Sequence, residues 1–309
     1  IAQPDGTAID RSREYGVDIL DETRSSLIID LDNDGDGDMV IATREVIVFM
    51  ENDAGMRFRE KFRVARIDAM SLAAADVDGD GLLDVYISNY QNSLHEIGPL
   101  SNPVPYNDAV NGAPNTMIRN AGNWRFEDVT SAWGLDRDNN RFSLAVAFED
   151  YDNDGDLDLY VSNDFGRNNL YRNVAAKGAT PAFVNVAAEN GVEDTSFGMS
   201  AAFGDVNGDG FFDIYVSNMA SGAGNRVTYQ RNFMSGSTPA QLEKMRYLAR
   251  GNSLFVNDAG QGFQDLSKEA EVMFAQWAWA SMFCDINNDG WPDLITMNGF
   301  LSGPDEGDL

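Results

Sequence analysis

Five aspartates and one glycine share the nine residues from Asp150 to Asp158, DYDNDGDLD, with Glu149 just before them. At an effective dielectric of about 20, two carboxylates about 4 Å apart repel by roughly 4 kcal/mol. A turn this acidic therefore calls for a counter-charge. The same pattern recurs as DLDNDGDGD (Asp30 to Asp38), DVDGDGLLD (Asp76 to Asp84), DVNGDGFFD (Asp205 to Asp213) and DINNDGWPD (Asp285 to Asp293). In all five copies positions 1, 5 and 9 are Asp, position 3 is Asp or Asn, and position 6 is Gly, whereas positions 2, 4, 7 and 8 read as free. Side-chain oxygens at alternate positions around a glycine turn, completed by a backbone carbonyl at position 7, are what a hard cation requires. Calcium accepts about six to eight oxygens in a flexible geometry, whereas magnesium demands a stricter octahedron and keeps its waters, so calcium is the expected ion.

The candidate ligands are Asp30, Asp32, Asp34, Asp36 and Asp38 in the first loop, and Asp76, Asp78, Asp80, Leu82 and Asp84 in the second. The third loop offers Asp150, Asp152, Asp154, Asp156 and Asp158. The fourth offers Asp205, Asn207, Asp209, Phe211 and Asp213, and the fifth Asp285, Asn287, Asp289, Trp291 and Asp293. Position 7 would serve through its carbonyl, since Leu82, Phe211 and Trp291 stand where Asp156 does, and the Asp156 side chain is expected to face solvent. About five ions are expected. The loops with Asn207 and Asn287 have one carboxylate fewer and should bind more weakly.

Turn-forming alone does not account for the pattern. A hairpin turn uses Asx and Gly for local hydrogen bonds and positive φ, but has no need of an acid or amide at alternate positions in every copy. An EF-hand would close with a bidentate Glu at position 12. That position holds Ile41, Ile87, Val161, Val216 and Thr296.

The loops must be held by strands. LDVYISN, LDLYVSN, FDIYVSN and PDLITMN follow four of them, rich in β-branched and aromatic residues, and small apolar runs such as SLAAAD and SMFCD precede them. Between successive loops, NTMIRN with FEDVT, NNLYRN with FVNVA, and NSLFVN with FQDLS read as hairpins, with EVIVFMENDAGMRFREKF as a looser fourth. Two strands around a loop plus a hairpin make a four-stranded unit.

This alternation resembles the FG-GAP, or VCBS, repeat family, best known from integrin α subunits, and is similar to secreted bacterial proteins resembling cartilage acidic protein. The resemblance spans residues 28–299. It implies an all-β fold: a β-propeller of four-stranded blades with calcium-binding loops, usually an interaction platform, of which five repeat units are visible. The chain reads as one domain over residues 1–309. Loop spacings of 46, 74, 55 and 80 residues place insertions at about 90–114 and 219–251. In the second, Thr238, Pro239 and Gln241 form a capping box and Gly251 a stop, so a short helix is expected. The family's familiar ring has seven blades. A fragment of a longer chain is favoured over a five-bladed ring closed by EYGVDILDE from the N-terminal region.

Composition narrows the function. The chain has 309 residues, 43% of them hydrophobic, which suffices for a sizeable core. Its net charge of −28 argues against nucleic acid, whose phosphates need clustered Lys and Arg. No apolar run is long enough for a transmembrane segment and the first residues lack signal-peptide regions, so a soluble ectodomain or an already processed export is expected. His95 is the only histidine and Cys284 the only cysteine, expected as a surface residue and a buried core thiol respectively. Trp277 and Trp279, two apart, are expected on one strand face, as core or as a sugar platform. No catalytic constellation is visible. The expected function is an extracellular, cell-surface or periplasmic scaffold binding another protein or a glycan. A lectin or carbohydrate-active enzyme is one alternative, and a scaffold subunit of a larger surface or redox complex another.

Overall fold

The computed structural model describes residues 3–55, 57–65, 68–91, 102–220 and 222–299; His95 lies outside them. Thr23–Ile29 (β1), Asp38–Thr43 (β2), Val46–Asn52 (β3) and Phe58–Ala65 (β4) form the first antiparallel sheet in that order. Ala69–Ala75 (β5), Asp84–Asn89 (β6), Thr116–Asn120 (β7) and Phe126–Asp128 (β8) form the second. The third consists of Phe142–Glu149 (β9), Asp158–Asp164 (β10), Asn169–Asn173 (β11) and Phe183–Asn185 (β12), and the fourth of Gly198–Gly204 (β13), Asp213–Asn218 (β14), Ser253–Asn257 (β15) and Phe263–Asp265 (β16). Ala278–Cys284 (β17) and Asp293–Asn298 (β18) make a two-stranded fifth sheet. All four hairpins expected from the sequence are present. Three short helices complete the described residues: Ser12–Tyr15 (α1), Gly222–Thr228 (α2) and Pro239–Leu248 (α3). The capping box forms as expected at Thr238 and Gln241. No helix among the described residues is long and apolar enough to cross a membrane.

Successive sheets pack face to face through their leading strands, β1 on β5, β5 on β9, β9 on β13 and β13 on β17. Strand periodicity dictates which side chains meet. Leu27, Ile29, Val40 and Ala42 of the first sheet meet Leu72, Val85, Ile87 and Ile118 of the second. On the opposite face of β6, Tyr86 joins Met117 and Val77 against Leu159 and Val161. Tyr160 and Leu170 then meet Ile214 and Val216. Strands β6, β10 and β14 are buried along their whole length. That explains their continuous apolar reading, since each is covered on both faces.

Among the described residues, the fifth sheet is covered on one face only. Phe283 meets Tyr215 with ring centroids 6.2 Å apart, and the Ser281 N–H donates to Ser200 Oγ. The other face leaves Met282 and Met297 about half exposed. Loop position 2 follows the same rule. Leu31, Val77 and Tyr151 are buried under the next sheet, whereas Ile286 is 62% exposed.

Two expectations and one of the alternatives are corrected here. Cys284 is half-buried, not enclosed, because the uncovered face of β17 carries it. Trp277 precedes β17, and a register irregularity at Trp279 breaks the period of two, so their spacing fixes no common face. EYGVDILDE joins no sheet: its Ile19 packs with Met39, Val46 and Phe58 against Ile41, Val48 and Met50 on the outer side of the first sheet.

Candidate metal centre

The five acidic loops join the first and second strands of the five sheets. The position-6 glycines, Gly35, Gly81, Gly155, Gly210 and Gly290, have φ of 93°, 86°, 95°, 87° and 89°. Side-chain-bearing residues rarely adopt that conformation, so Gly is required. Each glycine N–H then donates to Oδ2 of the position-1 aspartate, at 3.0 Å to Asp30, Asp76 and Asp150, 2.9 Å to Asp205 and 2.8 Å to Asp285. Position 4, read from the sequence as free, is not: Asn33, Gly79, Asn153, Gly208 and Asn288 all have φ between 58° and 73°. Asn and Gly are the residues that tolerate it. Position-4 asparagines also tie neighbouring loops, the Asn33 amide donating to the Gly81 carbonyl at 2.8 Å and that of Asn153 to the Gly210 carbonyl at 2.9 Å.

These turns bring acids together unequally. Asp30 with Asp32 and Asp38, Asp76 with Asp78 and Asp80, and Asp150 with Asp152 and Asp158 each place one carboxylate oxygen per residue within 4.8 Å of the others. No such trio forms in the fourth and fifth loops among the described residues. There the amides of Asn207 and Asn287 donate to Asp209 and Asp289 at 2.9 and 3.0 Å, in place of a third carboxylate.

Within the first three loops, Oδ1 of Asp30, Asp32, Asp36, Asp76, Asp152 and Asp156 is buried with no hydrogen-bond partner. An unpaired buried acceptor costs about 1–3 kcal/mol, and more when charged. Such oxygens fit a bound cation. The Asp156 side chain, expected in solvent, is turned in instead, and burial first, then Asp154, Asp152 and Asp150, pushes its pKa up to about 6.

Position 9 has a second task that was not anticipated. Asp38, Asp84, Asp158 and Asp213 are buried, and each accepts two backbone N–H groups. One comes from position 2 of its own loop, at 2.8–3.4 Å. The other comes from the asparagine closing the third strand: Asn52, Asn120 and Asn257 at 2.8 Å and Asn173 at 2.9 Å. The recurring Asn in MEN, IRN, YRN and FVN was the available signal. Burial outweighs these hydrogen bonds, pushing Asp84 up to about 7 and Asp158 up to about 8.

Arg119 also escaped the sequence reading. It pairs with Asp78 at 2.5 Å and Asp80 at 2.7 Å, giving the second loop a protein counter-ion. A cavity of about 360 Å³ separates this loop from the third, lined by Asp76, Asp78, Asp154, Asp156 and Lys177 among others.

Residues 30–87 and 150–216, which hold the first four loops, match the family model of the FG-GAP-like repeat. The chain carries FG-GAP-like repeats. The fifth loop has the same pattern of FG-GAP-like residues but lies outside the matched stretches. No curated protein matches the chain. Among solved structures, an Agrocybe aegerita lectin described as recognising non-reducing terminal N-acetylglucosamine is 15% identical with a TM-score of 0.44. That match covers 89% of this chain, which spans 60% of the lectin's length. The V. cholerae biofilm matrix protein Bap1 is 14% identical with a TM-score of 0.31, covering 79% of this chain and 39% of Bap1. The Photorhabdus luminescens Tc holotoxin pore is 14% identical with a TM-score of 0.28, covering 90% of this chain and 13% of its own.

Proposed function

We propose that this chain is a calcium-stabilised β-propeller module, its sheets serving as blades, that acts as an interaction scaffold outside the cytosol. The observation that carries the reading is the set of six buried, unpartnered carboxylate oxygens, all in the first three FG-GAP-like loops, beside three acid trios. In the reading, Asp30, Asp32 and Asp36, then Asp76 and Asp78, then Asp150, Asp152 and Asp156 lead the ligand sets, and the ion supplies the missing counter-charge. Asp209 and Asp289 belong to weaker sites. Extracellular calcium modules bind with dissociation constants on the order of 0.1–1 mM, far above cytosolic free calcium, which favours an exported location.

Calorimetric titration of metal-stripped protein tests the reading. Asp152→Asn should remove one ion's worth of binding while leaving the secondary structure, followed by circular dichroism, intact. Unchanged stoichiometry in that variant would remove the third loop from the reading.

A further inference from the structure

The insertion between β14 and β15 reverses the charge of the chain. Residues 219–251 hold Arg226, Arg231, Lys244, Arg246 and Arg250 against one acid, Glu243, a net of +4 within a protein of −28. Its base is fastened to the fourth sheet. Thr228 and Leu248 are buried, Ser196 Oγ donates to the carbonyls of Tyr247 and Leu248 at 3.3 Å, and Arg250 pairs with Asp265 at 2.5 Å while lying 3.9 Å from the Tyr247 ring centroid. Arg250 is thus committed to the anchor.

Further out, α2 and α3 pack together, and Arg246 lies 4.6 Å from the ring centroid of Tyr229. Arg226 and Arg231 are exposed and enter no ion pair among the described residues. In the same segment Tyr229 is 64% exposed, with Val227 and Met234 also outside, and Phe274, beyond β16, is 71% exposed. The Phe274 ring stands beside the start of α2, 3.9 Å from where a Cβ on Gly222 would lie. Unpaired arginines mixed with open aromatic and aliphatic side chains have no role in holding the insertion down.

We propose that the α2–α3 insertion docks the acidic surface of another protein, with Arg226 and Arg231 meeting carboxylates, Tyr229, Met234 and Phe274 supplying apolar contact, and Arg246, paired with Glu243, holding the Tyr229 ring. Tyr, Phe, Met and Arg are the residues enriched in the cores of protein interfaces, where Glu and Asp are depleted. The charge of the patch selects an acidic partner and would speed encounter with it. Val227 and Met234 offer aliphatic surface that suits a protein side chain better than a hydroxyl-covered sugar. The inference rests on the interaction-module part of the reading above and is independent of calcium.

The test pans a display library of short peptides on the intact, calcium-loaded chain, then measures the recovered peptides by fluorescence anisotropy, with heparin as a competing polyanion. Peptides combining Asp or Glu with aromatic or aliphatic residues are expected. Their affinity should fall about tenfold or more in Arg226→Glu/Arg231→Glu, fall also in Tyr229→Ala/Phe274→Ala, and weaken with salt. Recovered peptides without acidic residues, or affinity unchanged by the charge reversal, would overturn the proposal. Heparin binding as tight as the peptides and lost in the same variant would assign the face to an anionic glycan, and self-association lost in that variant would assign it to a second copy; either result also overturns it. The calcium-dependent melting of Arg226→Glu/Arg231→Glu, read in parallel, tells failure of this inference from failure of the calcium reading.

Discussion

The carboxylate of Asp158 accepts the backbone N–H of Asn173 at 2.9 Å, so the last acid of the third loop is also the clamp between β10 and β11. Asp84 does the same for Asn120 at 2.8 Å. Loop and hairpin are thereby joined through one buried carboxyl, and whatever neutralises the loop also steadies the sheet.

A pH dependence follows. Burial raises Asp84 to about 7 and Asp158 to about 8, and raises Asp38 and Asp213 as well, all from an ordinary value of 3.8. Stability from such groups is fully present below the unfolded pKa and is lost as pH rises through the folded one. The lowered acids, Asp108 and Asp265 among them, titrate below that window. Metal-free protein should therefore melt at a lower temperature near pH 8 than near pH 5, and calcium should flatten the profile because the ionised carboxylate is the ligand. Melting curves in chelator and in calcium across this range check it, and a metal-free profile that rises with pH contradicts it.

Arg119 pairs directly with the second loop, whereas Arg172, at the same place before the strand-closing asparagine, acts on Asp152 of the third without a direct ion pair among the described residues. The Arg119 ion pairs are part-exposed, each contributing about 0.2–1 kcal/mol, and they occupy oxygens of Asp78 and Asp80 that a cation would use. Arg119→Ala should lower metal-free stability by about 1 kcal/mol and tighten calcium binding at this loop several-fold. Calorimetric titration of the variant reads both directions; weaker calcium binding would mean that Arg119 assists the site.

Loop position 2 gives a comparison within one chain. Leu31 is 2% exposed under the second sheet and Ile286 62% exposed. Leu31→Ala should cost about 2–5 kcal/mol as a core truncation, whereas Ile286→Ala should stay within about 0.5 kcal/mol. Urea unfolding of the two variants measures the difference, and equal losses would show that something covers Ile286 in solution.

The sequence made the periodic features legible and missed the three-dimensional ones. Alternating Asp, the position-6 glycine and the continuous β-branched and aromatic runs of β10 and β14 are local, so five loops and four hairpins could be read directly. The fixed character of position 4 was hidden because Asn and Gly look like ordinary variation until their shared positive φ is seen. Arg119 lies 39 residues from Asp80, and no local pattern reports such a contact. Asp156 was misjudged for a related reason. Leu82, Phe211 and Trp291 at its position suggested that the side chain was irrelevant, whereas an Asp at position 7 turns one carboxylate oxygen inward in both loops that carry it, at Asp36 and Asp156.

The most direct measurement is a paired calcium titration and thermal melt of metal-stripped protein at neutral pH. The first three loops should take up three ions with sub-millimolar to millimolar affinity, with weaker uptake at the fourth and fifth. Each occupied site should stabilise the fold by about 2.7 kcal/mol at a hundredfold excess over its dissociation constant, visible as a higher melting temperature. No binding heat and an unchanged melting temperature at millimolar calcium would contradict the account.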